Sequence, residues 1–191
     1  MFGSGDVWRF NASLFLPFKF LQLLSLSNRN ITGWTKNEGF SKLKQLPNLK
    51  VVDLQYNHIH PKVLLSSLCW ISSLEVLKLG AHVDTSFNVP TTYNSSTSKK
   101  CGGLTNLRKL WFEGYEINIL SALGKLPKSN AGGLTNLEKL ILNNNNFNST
   151  IFSSLKIFPS LKHLNLAANE INGNIEMNGL LRPSSYQSLP H

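Results

Sequence analysis

Three side chains that could exchange protons, those of Asp53, Glu113 and His163, are spread along this chain of 191 residues. General acid–base catalysis needs such groups within hydrogen-bond reach of one reacting molecule. The three residues fall in alternate copies of a repeated frame described below, and even neighbouring strands of a sheet lie about 4.8 Å apart. We therefore expect no proton relay between them. The sequence also lacks a glycine-rich phosphate loop, a nucleophile elbow and a kinase signature, so we expect no enzyme.

His58 and His60, on either side of Ile59, suggest a metal-binding pair. A zinc site normally has at least three protein ligands. No cysteine, third histidine or acidic residue stands at ligand spacing from this pair, so we interpret both histidines as surface residues of a turn. We expect neither a metal nor any other cofactor.

The two cysteines, Cys69 and Cys101, stand five residues before Leu74 and six residues before Leu107. These are nearly equivalent places in consecutive repeats, and stacking could bring them to the separation that a disulfide requires. The corresponding place before a later repeat holds Ala131, which argues against a structural requirement for cysteine there. A disulfide and a pair of free thiols are both compatible with the sequence.

The formal net charge of +9 arises from 19 lysines and arginines against 10 acidic residues. The basic residues are scattered, and the longest basic run is Lys99–Lys100. A nucleic-acid interface concentrates such residues on one face or one helix, so we expect no nucleic-acid partner. The charge indicates either solubility alone or a salt-sensitive attraction to acidic partners such as wall polysaccharide.

The element that must position these side chains is an eleven-residue frame that occurs six times. A leucine-like residue occupies positions 1, 4 and 6 of the frame in every copy and position 11 in all but the third copy, which has Asp84 there, and a polar or hinge residue occupies position 9. The copies are Leu21–Ile31, Leu49–Ile59, Leu74–Asp84, Leu107–Ile117, Leu137–Phe147 and Leu161–Ile171. Their first residues are separated by 28, 25, 33, 30 and 24 positions. These periods and this consensus are those of the leucine-rich repeat, in which successive coils stack into a solenoid.

Alternation at positions 4 and 6 is the periodicity of a strand that turns one face inward and the other outward. Position 9 ends the strand, and an Asn side chain there can satisfy backbone groups freed by the turn and link neighbouring coils. The predicted structural ladder consists of Asn57, Asn145 and Asn169. The other copies carry Arg29, His82 and Tyr115 at this position. We therefore expect the first, third and fourth coils to be looser.

The outward strand positions are expected to form the concave face, which solenoids use for binding. The candidate ligand-binding residues are Lys78, Lys109, Trp111, Glu113, Ile141, Asn143, His163 and Asn165. Within this set, Trp111, Glu113 and Ile141 combine an aromatic anchor with a charge and an apolar neighbour, which is typical of binding surfaces. The alternative is that Trp111 only packs on neighbouring side-chain stems such as that of Lys78.

The frames divide the chain into an N-terminal segment at 1–20, a leucine-rich-repeat domain at 21–176 and a non-repeat tail at 177–191. An irregular insertion rich in Ser, Thr and Asn occupies 83–103 of the repeat domain. The predicted fold class is α/β, a solenoid of about six coils with a parallel concave sheet and an irregular convex side.

Two apolar patterns outside the frames complete this prediction. The spacing of Phe40, Leu43 and Leu46 predicts a short helix on the convex side that ends before Pro47. The N-terminal segment carries an apolar face that is expected to cover the first coil. Its members are Trp8, Phe10, Leu14, Leu16 and Phe18.

The amino-acid sequence in and around the frames identifies a protein family more specifically than the leucine spacing does. Residues 11–18 (NASLFLPF), 37–43 (NEGFSKL) and 143–155 (NNNNFNSTIFSSL) resemble the ectodomains of plant leucine-rich-repeat receptor-like proteins, as does INGNI at 171–175. The resemblance implies a secreted, glycosylated ectodomain that recognises pathogen molecules or developmental peptides. It also implies a protein or peptide ligand and signalling through receptor kinases at the plasma membrane.

Four Asn-X-Ser/Thr sequons are candidate N-glycosylation sites if the chain enters the secretory route: Asn11, Asn30, Asn94 and Asn148. The sequence shows no clear signal peptide, no paired-cysteine cap and no apolar stretch of about 18 residues that could span a membrane. We therefore expect a truncated extracellular or plasma-membrane ectodomain that acts by non-covalent recognition. The alternatives are a soluble inhibitor-like repeat protein that binds a wall-degrading enzyme and a degenerate gene fragment without independent function.

Overall fold

The computed structural model describes residues 8–80, 104–114 and 134–172. The strands in these ranges are β1 (Trp8–Phe10), β2 (Leu23–Ser25), β3 (Ile31–Trp34), β4 (Val51–Asp53), β5 (Val76–Gly80), β6 (Lys109–Glu113), β7 (Lys139–Ile141) and β8 (His163–Asn165). The α-helices are α1 (Pro61–Leu68) and α2 (Ile151–Leu155), and two 3₁₀ helices span Ala12–Leu14 and Phe40–Gln45. The predicted features outside the described residues are the insertion 83–103, the tail 177–191, His82, Asn94, Cys101 and Tyr115.

Six of the strands form one parallel sheet in the order β2, β4, β5, β6, β7, β8, which is also their order along the chain. Each strand belongs to one copy of the frame, so consecutive coils lie side by side. The strands pair in register at frame position 4, where Leu77 pairs with Val52 on one side and with Leu110 on the other. The predicted α/β architecture, a parallel sheet built from stacked coils, is confirmed.

The inward side chains of this sheet form the core. Strand alternation turns every second side chain inward, so the leucine-like residues of the central coils are buried. The buried set of the three central coils is Leu74, Leu77, Leu79, Leu107, Leu110, Phe112, Leu137, Leu140 and Leu142. Full burial of one such side chain contributes about 1.5–3 kcal/mol. At the corresponding position of β8, Leu164 is 40% exposed, so its contribution is smaller.

The N-terminal segment joins the fold through β1, which pairs with β3 in a separate two-stranded parallel sheet. Phe10 of β1 is fully buried and stacks on Phe40 of the second 3₁₀ helix, with ring centroids 4.0 Å apart. The expectation that Leu14 and Phe18 belong to the same apolar face is wrong, because both are more than half exposed. The chain leaves strand geometry after Phe10 and enters the first 3₁₀ helix, so the alternation of inward and outward side chains ends there.

The short helix predicted after the first coil is present, in 3₁₀ rather than α form. Phe40, Leu43 and Leu46 are all buried. Their spacing of three residues matches the 3.0 residues per turn of a 3₁₀ helix, so they share one apolar edge. The helix ends at Gln45, shortly before Pro47, whose nitrogen carries no hydrogen to donate.

Candidate functional site: the concave face

The concave face is formed by the outward side chains of the six-stranded sheet, which lie in rows because the strands pair in register. The row that we call the basic row consists of Lys109, Lys139 and His163 on β6, β7 and β8. The row beside it, which we call the Trp row, consists of Lys78, Trp111, Ile141 and Asn165. The candidate residues of these strands therefore share one face, and Lys139, which the sequence analysis did not select, lies among them.

Trp111 lies near the centre of the Trp row and is half-buried between lysine side chains. The ammonium nitrogen of Lys78 is 5.6 Å from the ring centroid, and that of Lys139 is 5.3 Å from it. A cation over an aromatic face contributes about 0.5–1 kcal/mol at an exposed site. Lys78 also forms an ion pair of 3.2 Å with Asp53 on β4. Trp111 thus packs against lysine side chains and still presents part of its surface to solvent.

The carboxylate of Glu113 lies in the next row of the concave face. Its Oε1 accepts hydrogen bonds of 2.7 Å from the Nδ2 atoms of both Asn143 and Asn144. The phenol of Tyr56 interacts with it from the second coil, and burial, followed by the charges of Glu113 and Asp53, raises the pKa of that phenol. The phenol is therefore protonated at neutral pH and can donate a hydrogen bond to the carboxylate.

Gly80 lies on the coil between those of Tyr56 and Glu113. Gly80 pairs with Glu113 in the sheet, and its carbonyl accepts a 2.7 Å hydrogen bond from the backbone N–H of Tyr56. An added Cβ would meet only ordinary contacts, the nearest being Gln55 Cβ at 3.5 Å, so the backbone does not require glycine here.

The position-9 asparagines connect consecutive coils from the edge of this face. Asn57 donates to the position-6 carbonyls of the preceding coil and of its own coil, at 2.8 and 3.0 Å, and its Oδ1 accepts a 3.0 Å hydrogen bond from the N–H of Ile31. Asn145 and Asn169 also donate to the position-6 carbonyls of their own and preceding coils. Asn57 and Asn145 are the buried polar residues of the described core, whereas Asn169 is half-exposed.

A further row, which we call the paired row, lies one residue before the basic row in each coil. Its charges alternate in sign along the stack: Lys50, Glu75, Arg108, Glu138 and Lys162. Lys50 pairs with Glu75 at 3.0 Å, and Glu138 pairs with Arg108 at 3.7 Å and with Lys162 at 3.4 Å. The sequence analysis missed this row, although comparing position 2 of the aligned frames would have revealed it. Exposed pairs of this kind contribute about 0.2–1 kcal/mol each.

Three of the sequons lie within the described residues. Asn30 and Asn148 are exposed, and Asn11 is half-buried. The Oδ1 of Asn11 accepts a 3.0 Å hydrogen bond from the N–H of Ser13 and caps the first 3₁₀ helix. The Oδ1 of Asn148 accepts hydrogen bonds from both the N–H and the hydroxyl of Thr150, at 3.0 and 2.6 Å. Glycosylation of any of these residues stays a prediction.

The remaining candidates lie outside these rows. Cys69 is buried and takes part in a disulfide, but Cys101 lies outside the described ranges, so their pairing stays a prediction. His58 and His60 are half-buried. In the part of the chain that the structure describes, no group of three His, Cys, Asp or Glu side chains could hold a metal ion. No helix within those same ranges is long and apolar enough to cross a membrane.

Comparisons with known proteins agree with this architecture. No protein-family model matches the chain. The chain is 74% identical over 184 residues to Cuscuta receptor 1 from Solanum lycopersicum, a match that covers 94% of the chain and 16% of that receptor's length. The fold is similar to that of an internalin from Listeria monocytogenes, with a TM-score of 0.53, 20% identity, and coverage of 94% of this chain and 44% of the internalin. The internalin shows the fold alone, and the identity to the tomato receptor confirms that the chain is related to the plant leucine-rich-repeat receptor-like proteins.

Proposed function

We propose that the chain is a non-catalytic recognition module of a plant receptor-like protein, and that a protein or peptide ligand binds to its concave face. The observation that carries the proposal is the position of Trp111 on the outward face of the sheet, half-buried between two lysines and close to Glu113. Tryptophan is enriched among residues that dominate binding energy, and polar groups commonly surround such anchors.

The side chains around this anchor are held in place before any ligand binds. Two asparagine amides fix the Glu113 carboxylate, and an ion pair with Asp53 fixes Lys78. Ordering a rotamer-rich side chain on binding costs about 0.5–1.5 kcal/mol. Contacts that already restrict these side chains reduce that cost, which favours a binding role for this surface.

The same contacts favour recognition over catalysis. Asp53 is paired with Lys78, and Glu113 accepts hydrogen bonds from two asparagines. His163 lies on β8, two strands away from β6, which carries Glu113. Asp53 and Glu113 are therefore engaged by separate partners and His163 lies apart from both, whereas acid–base catalysis needs such groups on one reacting molecule.

The relationship to Cuscuta receptor 1 supplies the biological context of the proposal. By this likeness, the chain would belong to an extracellular ectodomain at the plasma membrane, where it would recognise a foreign molecule in plant defence. Signalling would require partner receptor kinases, and the sequons Asn11, Asn30, Asn94 and Asn148 would carry glycans.

An array of overlapping peptides from secreted Cuscuta proteins tests the proposed binding face. We expect the chain to bind a subset of these peptides and Trp111→Ala to weaken their binding by about tenfold or more, since loss of such an anchor costs about 2 kcal/mol or more. Trp70→Ala is the matched control, because Trp70 lies outside the sheet and has the Lys44 ammonium 5.8 Å from its ring centroid. If both substitutions weaken binding equally, or if neither does, the concave face is not the recognition surface.

A further inference from the structure

We propose that the basic row, Lys109, Lys139 and His163, binds the carboxylates of an acidic peptide that lies across β6, β7 and β8. This inference rests on the proposed recognition function and adds the chemical class of the ligand. It begins from the register of the sheet, in which Lys109 pairs with Lys139 and Lys139 pairs with His163. Their side chains therefore project from the same face, on strands about 4.8 Å apart.

This arrangement concentrates like charge. Two lysines that lie directly opposite each other on neighbouring strands destabilise the sheet. Lys109 and His163 are exposed and Lys139 is half-buried. None of the ion pairs among the described residues includes a member of the basic row. The repulsion is thus not neutralised within this part of the molecule.

The paired row, one residue earlier in each of the same coils, shows the opposite arrangement. There Glu138 stands between Arg108 and Lys162 and forms an ion pair with each of them. In these three coils the charges of the paired row therefore alternate in sign, whereas the basic row contains only basic side chains. Carboxylates of a ligand would supply the opposite charge that the basic row lacks. Binding interfaces commonly place a positive patch against a negative one in this way.

The surroundings of the basic row favour a peptide over an acidic polysaccharide. A sugar ring would stack on the open face of an aromatic side chain, but lysine ammonium groups from both flanking strands lie within 5.6 Å of the Trp111 ring centroid. Ile141, beside Trp111 in the Trp row, can instead contact an apolar peptide side chain. Asn165 is exposed, and its amide nitrogen can donate a hydrogen bond to a peptide carbonyl.

The dimensions of the row define the probe. Three neighbouring strands span about 10 Å, and an extended peptide rises about 3.3 Å per residue with alternate side chains on one side. Two glutamates separated by one residue lie about 7 Å apart on one side of the peptide, so both fit within the length of the row. The probe is a fluorescein-labelled peptide with glutamates at alternate positions, and its counterpart with glutamines in their place is the uncharged reference.

Fluorescence anisotropy with the full chain tests the inference. We expect the glutamate peptide to bind more tightly than the glutamine peptide, and the difference to shrink as salt screens the charges. The double variant Lys109→Gln with Lys139→Gln should weaken binding of the glutamate peptide by about tenfold or more, since it removes two charges that would face the carboxylates of the peptide. The control variant Lys36→Gln with Lys156→Gln removes the same charge from exposed positions outside the concave sheet, and should change binding less than about twofold. Circular dichroism verifies that both variants fold.

Several results would overturn the inference. Equal weakening by the two double variants would show that only net charge attracts the peptide. Equal binding of the two peptides, or no binding of the glutamate peptide, would show that the row does not select carboxylates. Binding of polygalacturonate at the basic row without peptide binding would assign the row to polysaccharide. If the peptide array finds uncharged ligands that depend on Trp111, the recognition function stands and the acidic ligand class fails.

Discussion

Replacing Asn57 by Ala tests how the coils are held together. Asn57 is 1% exposed, and its amide donates to the position-6 carbonyls of two consecutive coils. Its Oδ1 accepts hydrogen bonds from the N–H groups of Arg29 and Ile31, at 3.2 and 3.0 Å. The substitution removes all of these bonds at once and leaves buried backbone groups without partners, because alanine has no polar atoms.

The magnitude follows from the number of groups left unpaired. A buried donor or acceptor without a partner costs about 1–3 kcal/mol. The N–H of Ile31 and the two carbonyls lose a buried partner, and relaxation of the turn recovers part of the loss, so we expect about 3–4 kcal/mol. Asn169→Ala is the matched comparison, because Asn169 makes the same pair of carbonyl contacts but is half-exposed. Water can replace its hydrogen bonds, and we expect a cost of about 1 kcal/mol.

Urea unfolding followed by circular dichroism measures both variants. With an m-value of about 2 kcal/mol per molar, Asn57→Ala should lower the midpoint by about 1.5–2 M, and Asn169→Ala by about 0.5 M. The m-value must be the same in all three proteins for the comparison to hold. Equal shifts for the two variants, or a loss below about 1 kcal/mol for Asn57→Ala, would refute the idea that buried asparagines join the coils.

The remaining predictions concern the core, the concave face and the sequons. Leu110→Ala, at a fully buried position, should cost about 2–5 kcal/mol in the same unfolding assay. The native state holds the phenolic proton of Tyr56 more tightly than the unfolded state does, because burial and then Glu113 raise its pKa; stability should therefore fall as the pH rises through the phenol titration. Glu113→Gln should lower the Tyr56 pKa and reduce that loss, as an ultraviolet titration against Tyr56→Phe would show; an unchanged titration would contradict the assignment. In plant cells, glycosidase treatment should increase the gel mobility of the secreted chain, and Asn148→Gln should reduce the size of that change, whereas a mobility unaffected by glycosidase would contradict the extracellular proposal.

The sheet and the composition of its outward face could be predicted from the sequence because both depend on local periodicity. Once Leu107 and Leu110 are assigned inward, strand alternation places Trp111 and Lys109 outward. The frames also align equivalent residues of successive coils, so the neighbours of Trp111 on the flanking strands follow from the alignment. The alternating charges of the paired row can be predicted in the same way, but only by comparing position 2 across the aligned frames.

Other features depend on contacts that no local pattern specifies. The exposure of Leu14 and Phe18 results from the turn that follows β1, where strand alternation stops. The approach of Tyr56 to Glu113 crosses the intervening coil of Gly80. The alignment of frames identifies neighbours on adjacent strands, but it does not specify a contact between side chains that are separated by a whole coil.

The central claim, that the concave face around Trp111 performs recognition, is tested most directly in a receptor. The matched segment of Cuscuta receptor 1, over which the chain is 74% identical, can be replaced by this chain, and the calcium response of plant cells to Cuscuta extract can be recorded. We predict that the chimera responds, that Trp111→Ala reduces the response strongly, and that Trp70→Ala leaves it intact. A chimera that responds fully with Trp111→Ala, or fails equally with Trp70→Ala, would contradict the account.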